Sequence, residues 1–148
     1  MPLSPKWKHR FKENGFRWTL TRKAILDLLS RTTKHMSAQE IYETLLKSYP
    51  GIGLSTVYRT LDLLCRMGLI NKINIGEDKS RYEYRSGEEK VHHHHLICTN
   101  CGKIIDYSDF LDEELDLIGK IEKNLSKKYN FMVKSHNIDF YGLCKGCR

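Results

Sequence analysis

Two C-x-x-C knuckles, Cys98-Thr99-Asn100-Cys101 and Cys144-Lys145-Gly146-Cys147, constrain this chain more than any other feature. Two residues between thiols let both sulfurs of a knuckle turn toward one point, so the pair can supply the four tetrahedral thiolates that Zn²⁺ accepts. Such a site is closed and structural. The run His92-His93-His94-His95, just before the first knuckle, must therefore serve something else. A C-x-x-C can also be a redox pair, and a histidine run can be a tag remnant. Redox motifs, however, come singly, and this run is internal, between Val91 and Leu96. The knuckles lie farther apart than in a zinc ribbon. Loop-closure entropy grows only logarithmically with length, so a folded unit can occupy the interval.

Charge divides the chain where the knuckles begin to matter. Residues 1–86 hold 16 Lys and Arg against 8 Asp and Glu, whereas residues 87–148 hold 9 against 10. All of the +7 net charge thus belongs to the first part. This points to two domains, 1–86 and 87–148, and to a polyanionic partner for the first, against the plainer reading of a solvated basic face. The N-terminal run Pro5-Lys6-Trp7-Lys8-His9-Arg10 has no sustained apolar stretch, so neither a signal peptide nor a membrane span is expected. A soluble, cytoplasmic protein follows, and four of five cysteines in metal spacing agree with a reducing compartment. Cys65, set among Leu61, Leu63, Leu64 and Met67, reads as a small buried hydrophobe.

The first domain reads as four helices and a hairpin. Ser4 and Pro5 open a helix that runs to Glu13. Thr19 caps a second, with Ala24, Ile25, Leu28 and Leu29 at helical spacing. Ser37-Ala38-Gln39-Glu40 is a capping box for a third. Ser55 is expected to cap a fourth, carrying Val57, Leu61, Leu64 and Met67 and ending at Gly68. Strands at 69–75 and 81–84 follow across a polar turn. Helices followed by a hairpin make a winged helix, with Ser55 to Met67 as recognition helix. Ser86 to Lys90 reads as a hinge. The second domain is expected to run strand 91–97, strand 103–107, amphipathic helix 110–129 and strand 131–141, a compact α+β unit sealed by zinc.

Side chains alternate along a strand, so four consecutive histidines cannot all bind one ion. His92 and His94 face one way and His93 and His95 the other, which predicts two further metal sites. His136, on the returning strand, could complete one. His35 lies before the capping box in the basic domain. Spacing alone makes it an ordinary loop histidine, although a ligand there would tie the two domains through the ion.

The segments Gly51-Ile52-Gly53-Leu54-Ser55-Thr56-Val57-Tyr58-Arg59, His92 to Gly102, and Ser135-His136 through Cys147 together resemble the ferric uptake regulator family of bacterial metal-dependent repressors. The likeness extends from Gly15 to Cys147. It implies a homodimer with two winged-helix heads, a C-terminal α/β dimerisation domain, and structural zinc on Cys98, Cys101, Cys144 and Cys147. It implies an interdomain regulatory site from His35, Glu83, His93, His95 and Asp106, and an additional site from His92, His94, Glu113 and His136. It also implies DNA contacts by Ser55, Thr56, Tyr58 and Arg59, with Arg17 as a minor-groove arm. Two features depart from the iron-sensing pattern: His94 stands where an aspartate is usual, and Asp106 resembles the peroxide-sensing branch while Glu83 resembles the iron-sensing one, which leaves the sensed signal open.

The resulting expectation is a repressor, not an enzyme, that binds an inverted-repeat DNA operator when loaded with Fe²⁺ or another divalent ion such as Mn²⁺ or Zn²⁺. Peroxide or zinc sensing is the alternative within the family. A zinc hydrolase is the alternative outside it, and would need an open metal position and a general base; the chain has no His-Glu-x-x-His motif.

Overall fold

The computed structural model describes residues 5–85 and 93–148. Ser4, the hinge at 86–90, Val91 and the predicted ligand His92 lie outside the described residues. The chain divides into two compact units, Met1–Glu89 and Lys90–Arg148.

In the first unit, α1 (Pro5–Glu13), α2 (Leu20–Arg31), α3 (Ala38–Leu46) and α4 (Leu54–Arg66) precede a hairpin of β1 (Ile70–Gly76) and β2 (Lys79–Tyr84). Local chemistry sets the helix starts. The Thr19 hydroxyl accepts from the Arg22 backbone N–H. Ser37 and Glu40 form a reciprocal capping box, satisfying two N–H groups that a helix start leaves open. The fourth helix corrects the sequence reading: Gly53 is its N-cap, with no side-chain cap bond, and Ser55 lies inside the first turn. A glycine in extended conformation begins this helix, which frees the Ser55 hydroxyl from capping.

Val57, Thr60, Leu61 and Leu64 recur three and four residues apart on α4 and are all buried. They meet Ile25, Leu26 and Leu29 of α2, Ile41 and Leu45 of α3, and Phe11 of α1 in one core. Ser55, Thr56, Tyr58, Arg59, Asp62 and Arg66 fall on the solvent side of the same helix. Gly68, at φ +66°, then turns the chain out of α4 in the left-handed region that side chains other than glycine rarely adopt. The hairpin pairs Asn71 with Glu83 and Ile73 with Arg81, with an irregularity between Asn74 and Gly76. Its strands are longer at the tip than the sequence suggested, with β2 beginning at Lys79. A bridge joins Met36 to Tyr82, so the strap between α2 and α3 lies against β2.

The second unit is a three-stranded sheet in the order β4-β3-β5, with β3 at His94–Cys98, β4 at Ile104–Tyr107 and β5 at Asp139–Gly142, plus α5 at Leu111–Tyr129. Strand β3 is antiparallel to β4 and parallel to β5. The predicted long strand 131–141 is only its last part, 139 onward; residues 131–138 are irregular. Asn130, in left-handed conformation at the end of α5, turns the chain, and no register partner is available until β3 is reached. Acidic Asp112, Glu113 and Glu114 begin α5 and Lys127 and Lys128 end it, complementing the helix dipole. None of its described residues is fully buried within the chain. Among the described residues, no helix is long and apolar enough to cross a membrane.

Candidate metal centres and nucleic-acid interface

Strand β3 ends at Cys98, and the tight turn after it returns Cys101; Cys144 and Cys147 follow β5 on the neighbouring strand. The parallel register of Cys98 with Gly142 brings the knuckles together, and the four sulfurs lie within 4.8 Å of one another. Tetrahedral bonds of about 2.3 Å to zinc require sulfurs about 3.8 Å apart. The Cys101 and Cys144 sulfurs are 3.7 Å apart, so the cluster fits structural zinc. Backbone N–H groups of Cys101 and Cys144 hold the Cys98 thiol down to about 6, the Cys144 contact measuring 3.4 Å. Those donors favour the thiolate that a metal needs. Cys65 is different: burial pushes its thiol up to about 11, and it is half-buried at the edge of the first core.

In the winged-helix unit, His35 Nε2 and Glu83 Oε2 are 3.0 Å apart, and each side chain is 12% exposed. Two elements hold them there. Glu83 sits on β2 opposite Asn71, whose Nδ2 donates to Glu83 Oε1 at 3.0 Å. His35 rides on the strap fixed by paired backbone bonds between Met36 and Tyr82. Arg81 Nη1 donates to the His35 carbonyl at 3.1 Å and to Glu40 Oε2 at 2.6 Å, connecting this strap to the capping box of α3.

In the second unit, the sheet register creates two rows. Asp106, His95 and Asp139 stand side by side across β4, β3 and β5, and Ile105, Leu96 and Phe140 form the next row, on the opposite face. His95 Nδ1 donates to Asp139 Oδ1 at 2.9 Å, because a carboxylate only accepts. Its Nε2 is 3.6 Å from Asp106 Oδ1. His93 precedes the strand, with its ring 5.2 Å from that of His95.

His94 turns to α5. Its Nε2 is 2.9 Å from Glu114 Oε2, and its ring is 6.3 Å from that of His136. His136 Nδ1 in turn meets Glu122 at 2.9 Å. The predicted Glu113 is corrected here: it is exposed, and the adjacent Glu114 faces His94. One residue along a helix rotates the side chain by about 100°, so two neighbouring glutamates cannot serve one point equally. Imidazole and carboxylate donors of this kind suit Fe²⁺, Mn²⁺, Co²⁺ or Zn²⁺.

The residues expected to touch DNA are all exposed. Ser55, Thr56, Tyr58 and Arg59 are exposed on α4, with Tyr58 47% exposed. Arg17 is exposed ahead of α2, its carbonyl accepting from Arg22 Nη1. The Arg22 guanidinium lies over Phe11 and Phe16 at 5.7 and 5.9 Å, which fixes the start of this segment.

Residues 13–141 match the family model described as "Ferric uptake regulator family". The chain is 35% identical over 141 residues to the ferric uptake regulation protein of Bacillus subtilis, covering 95% of this chain and 91% of that one. It is 34% identical over 137 residues to the peroxide operon regulator of the same organism, covering 92% and 87%. Among solved structures, it is similar to the Helicobacter pylori ferric uptake regulator, described as having three functional metal binding sites, with a TM-score of 0.70, 29% identity and coverage of 96% and 89%. The Pseudomonas aeruginosa ferric uptake regulator with manganese gives a TM-score of 0.68 at 27% identity, covering 93% and 97%.

Proposed function

Because the chain belongs to the ferric uptake regulator family, we propose that it is a cytoplasmic repressor whose homodimer grips an inverted-repeat DNA operator when a divalent ion, foremost Fe²⁺, is bound. The ion's ligands are His35 and Glu83 from the winged-helix unit and His93, His95 and Asp106 from the sheet unit. The observation that carries this reading is that each unit holds a prepared part of that set: His35 and Glu83 meet at 3.0 Å, and His95 is aligned between two aspartates. Each part alone leaves the ion short of the five ligands that the whole set offers. An ion shared by both stabilises only arrangements in which the units present their ligands together, and so shifts the population toward them.

Exposed α4 then enters the major groove. Arg59 offers two donors to a guanine edge, Tyr58 packs beside it, Ser55 and Thr56 contact phosphate, and Arg17 reaches the minor groove. A second copy covers the apolar row Leu96, Ile105 and Phe140, which are 42, 41 and 51% exposed in the single chain. His94, Glu114 and His136, with His92, form an additional ion site that tunes affinity. The relatives matched are regulators by name, and the chain is not an enzyme of the hydrolase type.

Peroxide sensing is the second reading, supported by Asp106 and by near-equal identity to an iron and a peroxide regulator, 35% and 34%. Anaerobic operator binding, titrated against each free metal, tests the first reading; His35→Ala protein with undiminished metal response would overturn the regulatory set. Peroxide added to Fe²⁺-loaded and Mn²⁺-loaded protein tests the second. Iron-specific mass gain on peptides containing His35 or His93, with loss of binding, supports peroxide sensing, and unchanged mass with binding retained favours iron-uptake control.

A further inference from the structure

The polar residue Asn71 occupies a position of apolar pattern. It lies on β1, where asparagine is a poor strand former, and Ile73, two residues on along the same face, is only 2% exposed. Its cross-strand partner is Glu83. The Asn71 amide donates to Oε1 of that carboxylate at 3.0 Å, while Oε2 is the oxygen turned to His35, also at 3.0 Å.

We propose that Asn71 is a positioning residue that makes Glu83 a one-oxygen ligand, and thereby sets the coordination number that the regulatory site offers an ion. This rests on the regulatory-site reading above. A carboxylate can bind an ion through one oxygen or both, and without a constraint it rotates between the two modes. An amide N–H on Oε1 draws electron density from that oxygen and fixes the carboxylate plane, leaving Oε2 as the stronger donor. The strand register makes this constraint rigid, because residues directly opposite in an antiparallel pair keep their Cβ atoms about 5 Å apart. Arg81 restrains the other partner by holding the His35 carbonyl, so both side chains on this unit face the ion with their angles already set. Small changes in ligand number discriminate among Fe²⁺, Mn²⁺ and Zn²⁺, whose preferred geometries differ while their donor chemistry overlaps.

The test uses the full-length chain with its four-thiolate site filled with zinc, titrated anaerobically with Co²⁺, whose visible ligand-field bands report coordination number. Asn71→Leu keeps the side chain's branched heavy-atom skeleton and removes the donor; Asn71→Ala is a second variant should the bulkier leucine not be accommodated. The expected result is about tenfold weaker Co²⁺ binding together with an altered ligand-field intensity, at an unchanged thermal midpoint and zinc content. Wild-type affinity and spectrum in the folded variants would overturn the inference. So would an affinity lost only in step with unfolding. His35→Ala separates the two levels. Because the His94, Glu114 and His136 set can also take Co²⁺, the bands are read as the difference from wild type. If the His35→Ala protein keeps the full wild-type intensity, the regulatory-site reading fails; if its intensity falls while Asn71→Leu and Asn71→Ala keep theirs unchanged, the positioning role alone fails.

Discussion

His95 Nδ1 lies 2.9 Å from Asp139 Oδ1, and the two residues stand directly opposite each other in the parallel register of β3 and β5. The hydrogen bond fixes which imidazole nitrogen carries the proton and leaves Nε2 as the donor to an ion. Asp139→Ala is therefore expected to weaken regulatory-metal binding by roughly 10- to 100-fold, with zinc content unchanged. Metal titration followed by isothermal calorimetry, alongside elemental analysis, measures both.

The four-thiolate site supports a unit with little buried apolar surface, so Cys98→Ser or Cys144→Ser should unfold residues 90–148 and not merely loosen them. Far-ultraviolet circular dichroism should lose the α5 contribution, and sedimentation should show loss of the assembled species. A zinc-free variant that retains the wild-type spectrum and sedimentation would contradict the assignment.

On α4, packing and recognition are separable. Leu61→Ala removes a side chain with no exposure and should cost about 2–5 kcal/mol of stability, seen as a lower denaturant midpoint. Arg59→Ala should change stability by no more than about 0.5 kcal/mol and reduce operator discrimination by roughly 1–3 kcal/mol. Competition between operator and random DNA separates this from loss of a phosphate contact, which weakens both alike.

The capping box gives a pH dependence. The Ser37 backbone N–H, followed by Arg81, holds the Glu40 carboxyl below its usual value. A folded-state value below the unfolded one means the contribution is complete above the unfolded value of 4.5 and is lost as pH falls through the depressed one. Glu40→Gln should flatten the acid limb of the stability curve over that range. Ser37→Ala should cost about 1 kcal/mol at neutral pH, and urea unfolding at several pH values reads both effects.

The knuckles, the capping box and the buried stripe of α4 were legible because each depends on residue types at short fixed spacing. Hydrophobic periodicity likewise exposed the helices and the hairpin. Asp139, Glu114, Glu122 and Asn71 were missed for a different reason. Their roles depend on register and helical phase, which no local pattern states. Phe110 begins α5 in a left-handed conformation without a side-chain cap, and that start determines whether position 113 or 114 meets His94. Ser55 misled for a related reason, since serine before an apolar stripe signals a cap, while Gly53 performs that task with its backbone. The short β5 could not be separated from the irregular chain before it because Phe131 and Met132 supply strand-like apolarity without a strand partner.

Cys101 and Cys144 each stand at one end of a segment that contains β4, all of α5 and β5. With zinc on both knuckles, that segment is topologically a closed ring, its clasp a coordination bond in place of a peptide bond. A single backbone cut anywhere between those two cysteines would leave both pieces tethered, and only removal of the ion would let them separate.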